Sequence, residues 1–329
     1  MHAPDAQELA EIDRSGIPAL AGAPRGVYGP DDRPHERVVP IVFVGGTGRS
    51  GTHVVARFLG RHNKIAAIPV ECRFHTEPSG FPGLLAGDVS KGRFIRRLRG
   101  FWWKGRQGVR RRGMYRIVPR ERFDAAVDAF DARFDAEPEA ACRALFLDLL
   151  WPRAIEKGAS GIVEQSTDVV VAAPTLMPLF PEARFIHVVR DGRDASASRV
   201  SQTRGLIYPR TRRQGLEWWE DRMRAIDAAA RKIPEDRLLE VRLEGLLVEE
   251  KRKAGKQVVE FAGVSMGKRV RKFLRIRMSS DEANEERWRR GLSDSKAADI
   301  DRRYAEILDR LEADGVSSVP LLRGSTDEG

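Results

Sequence analysis

The chain has 329 residues, 41% of them hydrophobic and 32% charged, with a formal net charge of +10. Such a chain buries a substantial core, is longer than one average domain and is short for two. The arginine-rich excess points to anionic ligands, nucleic acid or an acidic membrane surface without choosing among them. Two cysteines, Cys72 and Cys142, with no C-x-x-C pair, argue against a disulfide scaffold or a zinc site. The acidic, proline-containing start does not read as a secretory signal, and no run approaches the roughly 18 apolar residues of a membrane span. A cytoplasmic location is the expectation.

Residues 1–37 lack sustained periodicity and read as a mobile arm. A strand is expected over 38–45 and a helix over 51–62. A short apolar run, 65–70, reads as a second strand ending at Glu71. Residues 76–113 are rich in glycine and arginine, and a helical stretch over 120–156 is broken at Pro138. The alternation then resumes, with strands at 161–164, 183–189 and 237–241 and helices at 168–179, after 190, at 213–231 and at 248–262. A last amphipathic helix covers 294–312, and 323–329 form a tail. Strands alternating with helices predict an α/β fold: a P-loop-like three-layer sandwich over 38–322 with a central parallel sheet, interrupted by a basic helical insert at about 76–156. Loops 45–53, 71–76 and 190–198 then fall at the carboxyl ends of strands, where such sheets bind ligands.

The first of these loops lies in VPIVFVGGTGRSGTHVVARFLG, residues 39–60. Gly46 and Gly51 fit the two glycines of the Walker A pattern, but Thr52 and His53 stand where lysine and Ser/Thr belong. Glycines let the backbone aim its N–H groups at an anion, and the helix start adds partial positive charge. Arg49 supplies a forked donor for phosphate or sulfate oxygens, and Ser50 and Thr52 add hydroxyls. In the second stretch, FIHVVRDGRDASAS, Arg190 closes a buried strand and Ser198 follows on the next helix. That pair suits a second phosphate, although without the first loop a strand-end salt bridge of Arg190 with Asp191 or Asp194 and a helix-surface serine is the favoured reading.

Together the two stretches resemble the sulfotransferases that use 3′-phosphoadenosine 5′-phosphosulfate (PAPS), and the R-S-G-T form looks closer to their Golgi-type and bacterial members, including the tyrosylprotein branch. The resemblance covers roughly 38–312. It implies that Gly48, Arg49, Ser50, Gly51, Thr52 and His53 cradle the 5′-phosphosulfate, and that Arg190 and Ser198 hold the 3′-phosphate. It also accounts for the missing lysine: the donor has no β,γ-phosphate pair, and its leaving phosphate is stabilised by cations and N–H groups without a metal.

Sulfuryl transfer to a hydroxyl needs a base for the acceptor proton. Glu71 stands where the tyrosylprotein-type enzymes carry such a carboxylate, and Arg73 resembles their substrate-contacting arginine. A strand-end Glu71 paired with Arg73 or Arg93 is the structural alternative, and His75 and His53 are competing bases. Relatives carry a lysine after the third strand, where this chain reads Glu164-Gln165-Ser166-Thr167; Gln165, Ser166 or another residue takes that place. Leu243-Glu244-Gly245-Leu246 replaces a Tyr-Glu-Asp-Leu whose tyrosine lies near adenine. In EERWRRGLSD, Trp288 and Arg289 or Arg290 are placed to approach the 3′-phosphate, with Trp288 as plain core the equal alternative.

Residues 91–122 carry thirteen Lys/Arg and one acid, with Phe94, Leu98, Phe101, Trp102 and Trp103 interleaved. They read either as a lid whose aromatics pack on the core or as a surface for an anionic acceptor, an acidic membrane or nucleic acid. The leading expectation is a PAPS-dependent sulfotransferase acting on a small-molecule, glycan or lipid-linked hydroxyl, with nucleic acid disfavoured as a partner. A P-loop kinase or hydrolase and a basic binding module are the alternatives.

Overall fold

The structure, a computed structural model, describes residues 40–105, 113–278 and 286–323. The expected arm at 1–37 and the tail residues 324–329 lie outside these.

Strand β1 (Ile41–Gly46) is buried along its whole length, as its continuous apolar run demands of a strand covered on both faces. It is joined by β2 (Ile65–Ala67), β3 (Gly161–Glu164), β4 (Arg184–Val189) and β5 (Leu238–Arg242). The sheet order is β2-β3-β1-β4-β5 and every pairing is parallel. The helices are, in chain order, α1 (Thr52–Leu59), α2 (Phe81–Leu85), α3 (Lys91–Arg97), α4 (Arg120–Phe134), α5 (Pro138–Leu150) and α6 (Pro152–Lys157). After these come α7 (Ala173–Leu179), α8 (Gly192–Thr203), α9 (Arg212–Ala230), α10 (Lys251–Phe261), α11 (Lys268–Arg277), α12 (Asp294–Ala313) and α13 (Val319–Arg323).

Alternation along β1 sends its side chains into two cores. Ile41 and Phe43 face a cluster with α2, α4, α5 and α7, while Val42 and Val44 face one with α1, α10 and α11. A third cluster, around Trp219, Trp288 and Tyr304, joins α9 to α12. This is the expected three-layer sandwich.

Some boundaries differ from expectation for local reasons. Pairing of β2 stops at Ala67, two residues before Pro69, which has no N–H for the ladder. Prolines at 138 and 152 each sit in a first helical turn, so the long helix expected over 120–156 becomes three. Helices α2 and α3 fall within the helical insert expected at about 76–156, whereas α11 and α13 lie where no helix is expected.

The described part of the basic stretch packs on the core as a lid. Phe94, Leu98, Trp102 and Trp103 are buried, and Arg97 stacks on Phe101 and Trp102. Its cations meet acids from elsewhere: Arg97 with Glu77 at 3.1 Å, and Arg99 with Asp124 at 2.8 Å and Asp128 at 2.6 Å. Residues 106–112 lie outside the described residues. Among the described residues no helix is long and apolar enough to cross a membrane.

Sheet order positions the site. Strands β1 and β4 are neighbours with Gly46 opposite Val188, so the loop after β1 and Arg190 beyond β4 emerge side by side. On the other flank of β1, Phe43 is opposite Glu164, which brings residues 165–167 beside the same loop.

Candidate active site

The loop Thr47–Gly51 makes a tight turn whose shape explains its glycines. A Cβ on Gly46 would lie 2.2 Å from Ser50 Oγ, because that side chain folds back over it. Gly48, Arg49 and Gly51 have φ of 89°, 62° and 86°. Arginine at positive φ is a strained choice, and such strain concentrates at ligand sites. Ser50 is fully buried within the turn, and its Oγ has no hydrogen-bond partner among the described residues. A buried hydroxyl aimed into a glycine-lined cradle is expected where a ligand oxygen completes the bonding.

The two arginine stretches meet here. Arg49 Nε donates to Ser198 Oγ at 2.9 Å, and Arg190 Nη1 donates to the Arg49 carbonyl at 2.7 Å. Thus Arg49, Arg190 and Ser198 form one constellation, with Arg190 itself buried. The tip of Arg49 reaches solvent. Even so, partial desolvation first, and then the charge of Arg190, lower its pKa, with Arg199 and Arg287 adding to the effect and Glu71 opposing it. Cations crowded in this way favour a bound anion.

The carboxylate expected as base lies close by. Arg73 Nε donates to Glu71 Oε2 at 3.0 Å and Arg73 Nη2 contacts the same oxygen, while His53 Nε2 is 3.6 Å from Oε1. Glu71, four residues beyond β2, is therefore both ion-paired and a member of the loop's surroundings. Arg73 has φ 61°, and its N–H donates to Ser166 Oγ at 3.2 Å.

His75 does not stand where a competing base would. It is fully buried, with Nε2 3.0 Å from Glu164 Oε2 and its ring packed among Phe43, Phe74 and Phe146. Glu164 also accepts from Ser166 N–H and, at 2.7 Å, from Ser166 Oγ. Burial alone would raise the Glu164 pKa, but His75 and Ser166 outweigh it and hold it below the usual range. The cluster ties the end of β3 to segment 71–76. Gln165 and Ser166, considered as substitutes for the absent lysine, are likewise engaged in the core, Gln165 Nε2 donating to the Ile68 carbonyl at 3.4 Å.

Two residues expected near the nucleotide have partners within the protein. Trp288 is core: it is 2% exposed, and its N–H donates to Asp194 Oδ1 at 3.0 Å. Arg289 turns to Asp301 at 3.1 Å. Of that basic element it is Arg287 whose charge is felt at Arg49. The stretch 243–246 supports the site from below, since a Cβ on Gly51 would lie 2.6 Å from Leu243 and Glu244 accepts from the Asp191 N–H at 3.2 Å.

Sequence reasoning missed Trp218. Adjacent helical residues point about 100° apart, so of the Trp218-Trp219 pair one is core and the other is half-exposed beside the loop. A Cβ on Gly48 would lie 3.7 Å from the Trp218 ring, and Arg199 stacks on that ring at 5.6 Å.

The sequence profile of the sulfotransferase family matches residues 40–267, and the chain belongs to this family. Among solved structures it is similar to the sulfotransferase domain of the Synechococcus PCC 7002 olefin synthase. That match has 17% identity over 84% of this chain and 98% of that one, with a TM-score of 0.47. Sulfotransferase STF1 of Mycobacterium tuberculosis H37Rv is 13% identical over 82% of this chain and 77% of its own, with a TM-score of 0.46. Retinol dehydratase, solved with androsterone and the inactive cofactor PAP, is 14% identical over 93% and 95%, with a TM-score of 0.38. No curated protein sequence matches the chain.

Proposed function

We propose that the chain transfers the sulfuryl group of PAPS to an acceptor hydroxyl. The observation that carries this reading is that Ser198 and Arg190, far from Arg49 in sequence, each hydrogen-bond to Arg49 at a glycine turn. The orphaned Ser50 hydroxyl and the crowded cations fit an anion with more than one charged group. Gly48, Ser50, Gly51 and Thr52 would hold the 5′-phosphosulfate through loop N–H groups and hydroxyls, with Arg49 in contact with it. Arg190 and Ser198 would hold the 3′-phosphate, and Trp218 offers a stacking face for the base.

When bound, the donor would supply the sulfuryl group and a phosphate leaving group. Arg49 neutralises charge developing on the leaving side without reorganising, because its neighbours already fix it. Glu71, held between Arg73 and His53, accepts the acceptor's proton, and Arg73 steadies the carboxylate's direction. His53 stands on the first turn of α1 as the alternative proton acceptor. Replacing Glu71 and His53 separately distinguishes the two roles.

The test is transfer of label from ³⁵S-PAPS to a panel of phenolic, sugar and lipid-linked hydroxyls. Wild type labels at least one class and Arg49→Ala labels none. Absence of donor turnover by wild type in every case, including slow hydrolysis, would overturn the reading.

A further inference from the structure

A second basic site lies at the opposite end of the sheet from the phosphate loop. Helix α1 leads away from that loop, and the turn after it, His62–Lys64, forms one wall of a cleft of about 1190 Å³. The other walls are α10 and α11. Along α11, Lys268, Arg271, Lys272 and Arg275 line the cleft at spacings of three and four, which place them on one helical face. At about 1.5 Å per residue that row is roughly 10 Å long. Lys251, Arg252 and Lys256 of α10 also line the cleft.

Among the described residues most of these cations have no carboxylate partner. Lys256 is 3.7 Å from Glu260, and none of the other six has a carboxylate partner within 4 Å among the described residues. Elsewhere the surface behaves differently, as the pairing of Arg99 and Arg97 shows. The neighbouring His62 and Lys157 are perturbed by burial first and by cations other than those of the α10 and α11 rows. Burial first and Lys64 and Lys157 next lower the His62 pKa. Lys157 is lowered to about 8, by burial and then by Arg61, Arg153 and Arg269. Like charges gathered within a Debye length repel one another, and a bound anion relieves that repulsion.

The cleft floor narrows the ligand. Val264, Met266 and the largely buried Leu274 line the cleft beside the cations and Glu260. Sugar rings present C–H faces to such a floor while their anionic substituents reach the walls. A bare polyphosphate would leave the floor unused. A membrane surface fits less well, because the site is concave and Ile276 is the exposed large apolar residue on α11.

We infer that the α10–α11 cleft binds an anionic oligosaccharide, bearing sulfate or carboxylate groups, at a site separate from the phosphate loop. The inference does not depend on the donor reading. Binding of a fluorescent heparin-derived hexasaccharide, the probe, is followed by anisotropy at low and physiological salt using the full chain. Wild type binds, added salt weakens the binding, and Arg271→Ala/Lys272→Ala/Arg275→Ala weakens it about tenfold or more at low salt. All three side chains are exposed, and a second variant, Lys251→Ala/Arg252→Ala/Lys256→Ala, gives the same direction from the other wall. Titration of 3′-phosphoadenosine 5′-phosphate in parallel gives the same affinity for wild type and both variants, which separates this site from the donor site. Equal hexasaccharide affinity in wild type and both variants overturns the inference. So does binding to phosphatidylserine vesicles without binding to the hexasaccharide.

Discussion

Arg97 and Arg99 of the lid end on carboxylates, whereas Arg49 ends on a serine hydroxyl and Arg190 on a backbone carbonyl. In sequence the lid is the denser basic stretch, yet its Arg97 and Arg99 pair with Glu77, Asp124 and Asp128, and its Phe94, Trp102 and Trp103 are core. The phosphate loop has fewer cations, but burial and then Arg190 lower the proton affinity of Arg49. Density of arginine therefore says little about ligands. What matters is whether the fold supplies the counter-charge or leaves it to a ligand.

The contrast breaks most sharply if the lid is the binding element. Trp102 is 3% exposed and its indole N–H donates to Glu77 at 3.1 Å. Trp102→Ala is expected to cost about 4 kcal/mol of stability by denaturant unfolding, the scale for emptying a large core site. Nucleotide affinity, measured below the transition, stays at the wild-type value. A selective loss of nucleotide affinity with stability intact would reverse the roles of the two regions.

At the phosphate loop, Glu71→Gln is expected to cut turnover by about 100-fold while nucleotide binding persists, the usual scale for losing a general base. Near-normal turnover transfers the proton to His53, and His53→Ala then carries the loss.

The cluster that joins the loops is tested by pH. The Glu164 pKa is depressed on folding, so its contribution is present above the unfolded pKa and is lost as pH falls through the folded value. Wild-type stability is expected to drop on the acid side of the ordinary carboxylate range. Glu164→Gln is expected to cost about 3 kcal/mol at neutral pH and to flatten that drop. An unchanged acid limb would remove Glu164 from the account. The smallest effect belongs to the lid's surface: Arg99→Ala is expected to shift stability by about 1 kcal/mol or less, because its pairs are solvent-exposed.

Much of this was legible where the signal is local. The strand-glycine-arginine run at 41–52 and the strand-arginine-serine run at 184–198 carry their chemistry within a few residues, and the parallel sheet then makes them neighbours. His75 was not legible because its partner, Glu164, lies 89 positions away and closes on it only through the β2–β3 edge. Trp288 could not be sorted between core and ligand until Asp194 claimed its N–H. Helix α11 was readable in principle, since Val270, Phe273 and Leu274 recur at helical spacing. Its cationic row gains meaning only when α10 lies alongside.

The central claim is that Arg190 and Ser198 make the site one for a 3′-phosphate rather than for any nucleotide. Calorimetry of 3′-phosphoadenosine 5′-phosphate against 5′-AMP, on wild type and Arg190→Ala, tests it most directly. The account predicts micromolar-scale binding of the bisphosphate by wild type, at least about tenfold weaker binding of AMP, and loss of that preference in Arg190→Ala. Equal affinity of wild type for the two nucleotides, or an undiminished preference in the variant, would contradict it.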